Sequence, residues 1–285
     1  MNIDNRFASR AEAIDEIPEP FRRNLRKQIM PDESVSFLAY APAYKSLENL
    51  PATVLAITDQ QWLIVEQASD GDAIVNGAPF GDTLLVELTE VLLFGRLRID
   101  SASDGAARSG AVHFNTAMGK LYHEAAQLLL RGIEGLPLSA HDHESATLSP
   151  PPDWPLKFRN DISKIVPPGR RLLFSAHWPA VNAGFRRELA PAAALAITES
   201  EIILVADSPA GYLFVPQEDN RYGRVVTYFP LARLAQHRIV HHEQFSLLEL
   251  EAYASHGGEK LQIMFPSSHE SQVSDLMDHT FAAAG

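Results

Sequence analysis

The sequence contains no cysteine. Disulfide bridges, thiolate metal sites and cysteine nucleophiles are therefore excluded. It also lacks any apolar run near the ~18 residues that a membrane-spanning helix needs. Its opening stretch, "MNIDNRFASRAEAIDEIPEP", is polar and has no apolar core of the kind that a signal peptide carries. From these absences we expect a cytoplasmic protein without a transmembrane segment.

Positive charge is scarce, with 24 Lys and Arg against 36 Asp and Glu and a formal net charge of -12. An acidic chain is repelled by phosphate backbones, so nucleic acid is not an expected partner. The sequence has no G-x-S-x-G elbow, no Gly-rich phosphate loop after a strand and no H-E-x-x-H helix. We therefore predict a non-enzymatic protein with no cofactor.

An internal repeat is the strongest feature that the sequence does contain. "LPATVLAITDQQWLIV" (residues 50–65) returns as "APAAALAITESEIILV" (residues 190–205), an offset of 140. Before it, "FLAYAP" (37–42) matches "FSAHWP" (174–179) at an offset of 137. Farther on, Gly81 is matched with Gly223 at 142 and Phe114 with Phe265 at 151. A growing offset is what loops of unequal length produce in a duplicated chain.

Each copy follows the same plan. Apolar residues at helical spacing predict a short first helix, beginning at Phe21 and at Phe158, and a closing amphipathic helix over 116–131 and 268–281. Gly132 is expected to cap the closing helix of the first copy. Between the helices we predict about seven short antiparallel strands, with 70–82 and 100–110 as loops.

The predicted fold class is therefore mainly β with flanking helices. The first domain covers residues 1–135, including an N-terminal tail over 1–18, and the second covers 156–285. Residues 136–155 between them contain the stretch "SPPPDWP" and are predicted to be a Pro-rich, semi-rigid linker.

This order resembles the pleckstrin-homology (PH) superfold, in its bacterial PH-like and GRAM-like branch. "LAITDQQWLIV" and "LAITESEIILV" carry the resemblance, with "VVTYFPLARLAQHRIV" (225–240), its weaker partner "LLVELTEVLLFGRLRI" (84–99) and the two closing helices. The resemblance implies two tandem PH-like barrels or bent antiparallel sheets, each closed by a C-terminal helix. It also implies a binding scaffold, which is an argument by analogy.

PH-like domains often bind ligands at the open end of the sheet, between the first two strands. In the second copy that loop, "PAVNAGFRREL", contains Arg186 and Arg187, and Arg170 and Arg171 open the preceding strand. Four guanidinium groups near one end are suited to a phosphorylated headgroup or a carboxylate-rich peptide. The alternative is that these arginines bind no ligand and form a solvated rim that offsets some of the acidic charge. The first copy has "AYKSLENL" at this place, with one Lys and one Glu.

Histidines cluster at "HDHE" (141–144) and at "HRIVHHE" (237–243). On a strand His237, His241 and Glu243 would share a face, as metal ligands do. One cluster falls in the linker and the other on a half-exposed strand, so we predict no metal site. As an alternative to a metal site, these histidines could make a contact that depends on pH.

Two functions are consistent with these features. The first is protein–protein recognition or assembly, including self-association, because the chain is acidic and has apolar residues beyond the needs of its core, such as Trp178 and Phe185 near a loop. The second is the binding of an anionic lipid or phosphorylated headgroup by the second domain at a peripheral membrane surface.

Overall fold

The computed structural model describes residues 7–45, 49–68, 72–103, 106–138, 150–183, 187–207, 223–243 and 245–284. The chain divides into two compact units, Met1–Ala140 and His141–Gly285. Each is mainly β with several helices, as the sequence predicts. The division falls within the predicted linker.

Unit 1 begins with a short strand and a helix and then forms two antiparallel sheets and a closing helix. Its first elements are β1 (Ser9–Arg10), α1 (Phe21–Gln28), β2 (Val35–Ala41), β3 (Tyr44–Lys45), β4 (Asn49–Leu50), β5 (Thr53–Thr58), β6 (Gln61–Gln67) and β7 (Ala73–Pro79). The first sheet has the order β1-β2-β5-β6-β7, and β3 and β4 form a small separate hairpin. A second set of paired strands follows, β8 (Thr83–Val91), β9 (Phe94–Ser103) and β10 (Ala106–Asn115), and then α2 (Gly119–Ile133).

Unit 2 repeats that order. It contains α3 (Leu156–Ile165), β11 (Leu172–Trp178), β12 (Val181–Ala183), β13 (Arg187–Ala190), β14 (Ala193–Thr198), β15 (Glu201–Asp207), β16 (Arg224–Pro230), β17 (Leu234–His241), β18 (Phe245–Ala254), β19 (Gly257–Pro266) and α4 (Glu270–Ala284). Successive pairing joins β11, β14, β15 and β16, while β17, β18 and β19 form the second sheet. Within the described residues neither unit closes into a barrel.

The central strands of the first sheet of unit 1, β2, β5 and β6, are largely buried on both faces. On one face α1 places Phe21 and Leu25 against Leu38, Val54 and Leu63. On the other face the alternate residues of the same strands are also almost fully buried. Burial of both faces explains why "TVLAIT" reads as a continuous apolar run and not as an alternating one.

The repeated "LAIT" ends in a threonine that caps a tight hairpin. The Oγ1 of Thr58 accepts hydrogen bonds from the backbone N–H groups of Gln60 (3.1 Å) and Gln61 (3.0 Å). Thr198 accepts from the two equivalent N–H groups of unit 2, at 3.1 and 2.9 Å. Both threonines are fully buried. The predicted hairpin is therefore present in both units, and the hydroxyl satisfies donors that the turn would otherwise leave unpaired.

The two units also share their irregularities. A β-bulge interrupts the pairing of β2 with β5 between Val35 and Phe37. The same bulge lies in unit 2 between Leu172 and Phe174. A second matched pair of bulges lies near the starts of β8 and β17. A β-bulge changes the direction of the side chains that follow it. The apolar pattern of the sequence does not predict where these bulges lie.

Two segments predicted to be loops are strands. Residues 70–82 contain β7, and residues 100–110 contain the end of β9 and the start of β10. The prediction was wrong for β7 because its Asn76, Gly77 and Pro79 are residues typical of turns. These residues are tolerated because β7 is the edge strand of its sheet among the described strands.

The position of β7 corrects the repeat alignment. This strand ends at Pro79 opposite Gln61, and β16 ends at Pro230 opposite Glu201. The offset is therefore 151 from this strand onward, and the match of Gly81 with Gly223 is wrong. The counterpart of "VVTYFPLARL" is the segment 74–83, and not 84–93.

The cap of α2 also differs from the prediction. Gly132 lies inside the helix, where a Cβ would come within 2.6 Å of the Phe80 ring. Gly135, with φ of +73°, takes the left-handed position instead. The N–H of Leu136 donates to the carbonyl of Arg131 (2.9 Å) and the N–H of Gly135 to that of Gly132 (3.0 Å), which is a Schellman motif.

Candidate functional site

The structure does not bring the predicted arginines to one end of unit 2. Arg170 and Arg171 directly precede β11, beside the turn that joins β14 to β15. Arg187 begins β13, beyond the opposite end of β11. The seven residues of β11 span roughly 20 Å at the usual rise of a strand. Arg186 lies outside the described residues.

The side chain of Arg170 belongs to the structure of the nearby turn. Its Nε lies 3.6 Å from Oε1 of Glu201, a carboxylate whose side chain is only 1% exposed. The other oxygen of Glu201 accepts a hydrogen bond from Thr198. The backbone N–H of Arg171 donates to the carboxylate of Glu199 at 2.9 Å. This end of the sheet is therefore a hydrogen-bonded turn, and Arg170 pairs with a buried carboxylate there.

Trp178 is a core residue, contrary to the expectation that it exceeds the needs of the core. It is fully buried, and its ring centroid lies 5.7 Å from that of Phe265. Its indole N–H has no hydrogen-bond partner among the described residues. Alternation along β11 turns Trp178 inward. Phe185 lies outside the described residues.

The histidines of β17 have separate environments. The Nδ1 of His241 is 2.9 Å from Oε2 of Glu270, which also accepts from the Ser246 hydroxyl at 2.8 Å. The hydrogen bond from Ser246, followed by that from His241, lowers the pKa of Glu270. Burial lowers the pKa of His237. Among the described residues no group of three or more His, Asp or Glu side chains could hold a metal ion. The "HDHE" cluster falls outside them.

An apolar hairpin tip distinguishes unit 1. Leu92 and Leu93 form the two-residue turn between β8 and β9 and are 47% and 61% exposed. Leu92 has φ of +51°, a left-handed conformation that costs an L-residue with a side chain about 1–2 kcal/mol. Thr116 holds the turn, because its Oγ1 donates to the Leu92 carbonyl (2.6 Å) and its N–H to the Leu93 carbonyl (3.1 Å). We call Leu92 and Leu93 the apolar tip.

A shallow pocket lies beside the apolar tip. Phe94, which follows Leu93, lines it together with Ala41, His113 and Phe114. Its volume is about 20 Å³, the room of roughly one water molecule. Burial, reinforced by the charge of Arg96, lowers the pKa of His113. The pocket is therefore a mainly apolar recess whose wall includes one imidazole.

Unit 2 has neither the apolar tip nor the alanine that lines the pocket of unit 1. The residue equivalent to Ala41 is Trp178, whose indole packs on Phe265, the equivalent of Phe114. The turn equivalent to the apolar tip reads Glu243-Gln244, of which Gln244 lies outside the described residues. The apolar end is thus a property of unit 1 and not of the shared fold.

The second sheets of the two units carry cross-strand ion pairs of opposite polarity. In unit 1 Glu87 on β8 is opposite Arg98 on β9, 3.6 Å away. In unit 2 Arg238 on β17 is opposite Glu249 on β18, and the two side chains form an ion pair. The hydrogen bond from Arg238, together with one from Gln262 at 2.7 Å, lowers the pKa of Glu249 to about 2.

A second carboxylate in each sheet, next to the ion pair, shows how burial changes the direction of a pKa shift. Asp100 is only 5% exposed at its side chain, and burial raises its pKa although Arg98 lies 2.9 Å away and Ser109 donates to it. Its equivalent, Glu251, is 28% exposed at its side chain, and a hydrogen bond from Gln236 lowers its pKa.

Sequence reasoning overlooked the apolar tip although a signal was present. A two-residue turn between strands normally takes Gly, Asn or Asp, because one or both residues have positive φ. The stretch "EVLLFG" places two leucines there instead. The anomaly becomes visible only when the strand boundaries are known.

Comparison of the chain with protein-family models found no match, and comparison with curated proteins found none. Among the helices that the structure describes, none is long and apolar enough to cross a membrane.

Proposed function

We propose that this chain is a non-enzymatic protein–protein recognition module, built from two tandem PH-like units, and that the apolar tip of unit 1 contacts the partner. The observation that carries the proposal is the exposure of Leu92 and Leu93 on a strained turn. Such strain persists only where the surrounding structure enforces it, as Thr116 does here, and it concentrates at functional positions.

The apolar tip offers a modest but useful amount of binding free energy. Each leucine is roughly half exposed, and full burial of a leucine side chain is worth about 1.5–3 kcal/mol. Covering both would thus contribute about 2 kcal/mol, which is typical of a residue at the centre of a protein interface. The pocket lined by Phe94, the residue that follows the tip, adds an apolar recess to the same unit.

The tandem PH-like assignment is supported by topology. Each unit has a helix, four main strands, three further strands and a closing helix, which is the order that the PH superfold implies. The matched bulges support an internal duplication, because bulges follow neither from the apolar pattern nor from strand pairing alone.

Headgroup binding by unit 2 has less support. It relies on Arg170, Arg171, Arg186 and Arg187 acting together, and Arg187 begins a strand at the far end of β11 from the first two. It predicts salt-sensitive sedimentation with anionic liposomes, lost in Arg186→Ala/Arg187→Ala. Salt-sensitive sedimentation that this double variant abolishes would favour it over the proposal.

The proposal is tested by making the tip polar. In Leu92→Asn/Leu93→Gln the asparagine tolerates the left-handed conformation, so the fold is expected to survive. The affinity for the proteins that the wild-type chain captures should fall by about 30-fold, the equivalent of ~2 kcal/mol.

Tyr253→Gln is the matched control, because Tyr253 is 60% exposed on β18 of unit 2. It should capture the same proteins as the wild type. If the tip variant captures the wild-type set at undiminished yield, the apolar tip is not a recognition surface.

A further inference from the structure

β7 and β17 are each the edge strand of a sheet, with one side that has no hydrogen-bonded neighbour among the described strands. In the first sheet of unit 1, β7 pairs with β6 alone among the described strands, and in the second sheet of unit 2, β17 pairs with β18 alone. An edge strand presents a row of backbone N–H and C=O groups that can pair with another chain.

The ladder geometry shows which groups point outward on β7. The N–H of Phe80 donates to the carbonyl of Gln60 at 3.2 Å, immediately beyond the last β7 pair. Bonding alternates along an antiparallel pair, so residues 74, 76 and 78 bond to β6. The backbone groups of Ala73, Val75 and Gly77 are therefore directed away from the sheet.

The same argument applies to β17. The N–H of His242 donates to the carbonyl of Phe245 at 2.9 Å, next to the pair of His241 with Ser246. Alternation then directs the backbone groups of His237, Ile239 and His241 outward. Each edge thus offers alternate residues over a similar length, because β7 has seven residues and β17 has eight.

The two edges carry opposite charge. Asp72 and Asp82 flank β7, which itself contains no Lys or Arg. The segment 233–241 contains Arg233 and Arg238 and no acidic residue. Arg238 remains 65% exposed although it pairs with Glu249. A β7 edge therefore attracts a β17 edge and not a second β7 edge.

An exposed apolar side chain completes the β7 edge. Ile74 is 52% exposed on a strand that lacks the lysines with which isolated edge strands usually prevent pairing. Its neighbour Asn76 is also exposed.

We propose that β7 of one molecule pairs with β17 of a second copy of this chain, head to tail. The interface is heterologous, because two different strands meet, and its repetition yields a ring or a filament. This contact uses neither the apolar tip nor the pocket, so it stands or falls independently of the proposed recognition function.

Cysteine cross-linking tests the pairing directly, because the chain has no cysteine of its own. Asn76→Cys places a thiol at the centre of β7. Gln236→Cys and His237→Cys place one near the centre of β17, on opposite faces of the strand. After oxidation, Asn76→Cys mixed with one of the two β17 variants should give a covalent heterodimer.

Each variant oxidised alone is the control and should remain uncross-linked. A covalent dimer of Asn76→Cys with itself would overturn the proposal, because it would place two β7 edges together. The absence of a heterodimer with both β17 variants would also overturn it.

The charge argument is tested at Ile74. Ile74→Lys and Ile74→Glu remove the same apolar side chain but add opposite charges. The lysine should lower the association constant by at least about 10-fold relative to the glutamate, as measured by sedimentation over a range of protein concentrations. Equal association of the two variants would refute the charge-directed pairing.

Discussion

Replacement of Leu92 by glycine tests whether the turn at the apolar tip is strained. The left-handed conformation of Leu92, with φ of +51°, costs about 1–2 kcal/mol, and glycine removes that cost. Glycine adds a cost of about 0.5–1 kcal/mol through the entropy of the unfolded chain. Leu92 is 47% exposed, so loss of its buried half removes about 1 kcal/mol more. The net change in the free energy of unfolding should be near zero.

Leu93→Gly is the matched control on the same turn. Leu93 does not have positive φ, so glycine relieves no strain there. The variant should lose about 0.5–1 kcal/mol through chain entropy and a similar amount through lost burial. Leu92→Gly should therefore be more stable than Leu93→Gly by about 1–2 kcal/mol.

Urea titration followed by far-UV circular dichroism and by tryptophan fluorescence measures both variants. Trp62 is buried in unit 1, where its indole N–H donates to Thr83 at 3.0 Å, so unfolding of the unit that contains the tip changes the tryptophan emission of the chain. The slope of free energy against urea should not change. If Leu92→Gly is destabilised as much as Leu93→Gly, Leu92 stores no strain.

Five further substitutions, at four positions, test other parts of the fold. Trp178→Ala should lower the free energy of unfolding by about 3–5 kcal/mol in urea titration, and Trp178→Phe by much less, because the indole N–H has no partner among the described residues. Thr58→Val and Thr198→Val should each cost about 1–3 kcal/mol in the same assay, since each removes the acceptor of two turn N–H groups; a loss in one unit only would contradict their equivalence. Burial raises the pKa of Asp100 above its usual 3.8. Ionisation of Asp100 therefore destabilises the folded state as the pH rises from 3.8 through the raised pKa. The stability of Asp100→Asn relative to the wild type, measured by urea titration from pH 3.5 to 7, should therefore increase with pH, and a decrease would contradict the assignment.

The sequence predicts the core elements well because burial on both faces leaves a strong pattern. The hairpin that ends in Thr58 is recognisable from a continuous apolar run, a polar turn and a second run. The closing helix predicted over 116–131 is found at Gly119–Ile133, a shift of two or three residues that reflects the 3₁₀ turn at Thr116–Met118.

The edges and the sites follow less directly from the sequence. β7 has one side without a neighbour among the strands that the structure describes, so turn residues cost it little and its composition does not identify it as a strand. Arg170 and Arg187 lie close in sequence, but β11 and the turns at its two ends separate them in space. Trp178 lies next to a loop in the sequence, but the alternation of β11 directs it inward.

The reversed ion pairs distinguish the second sheets of two units that share one order of elements. Tandem domains of similar sequence are prone to exchange strands during folding. If β8 paired with β18, Glu87 would face Glu249, and if β17 paired with β9, Arg238 would face Arg98, because the two sheets have the same register. Like charges directly opposite one another on a sheet are destabilising. The threonine caps and bulges are shared because they build the fold, whereas the ion pairs, the apolar tip and the Trp178 position differ. The inverted pairs therefore favour pairing within each unit over exchange, and the other two differences give unit 1 an apolar end that unit 2 does not have.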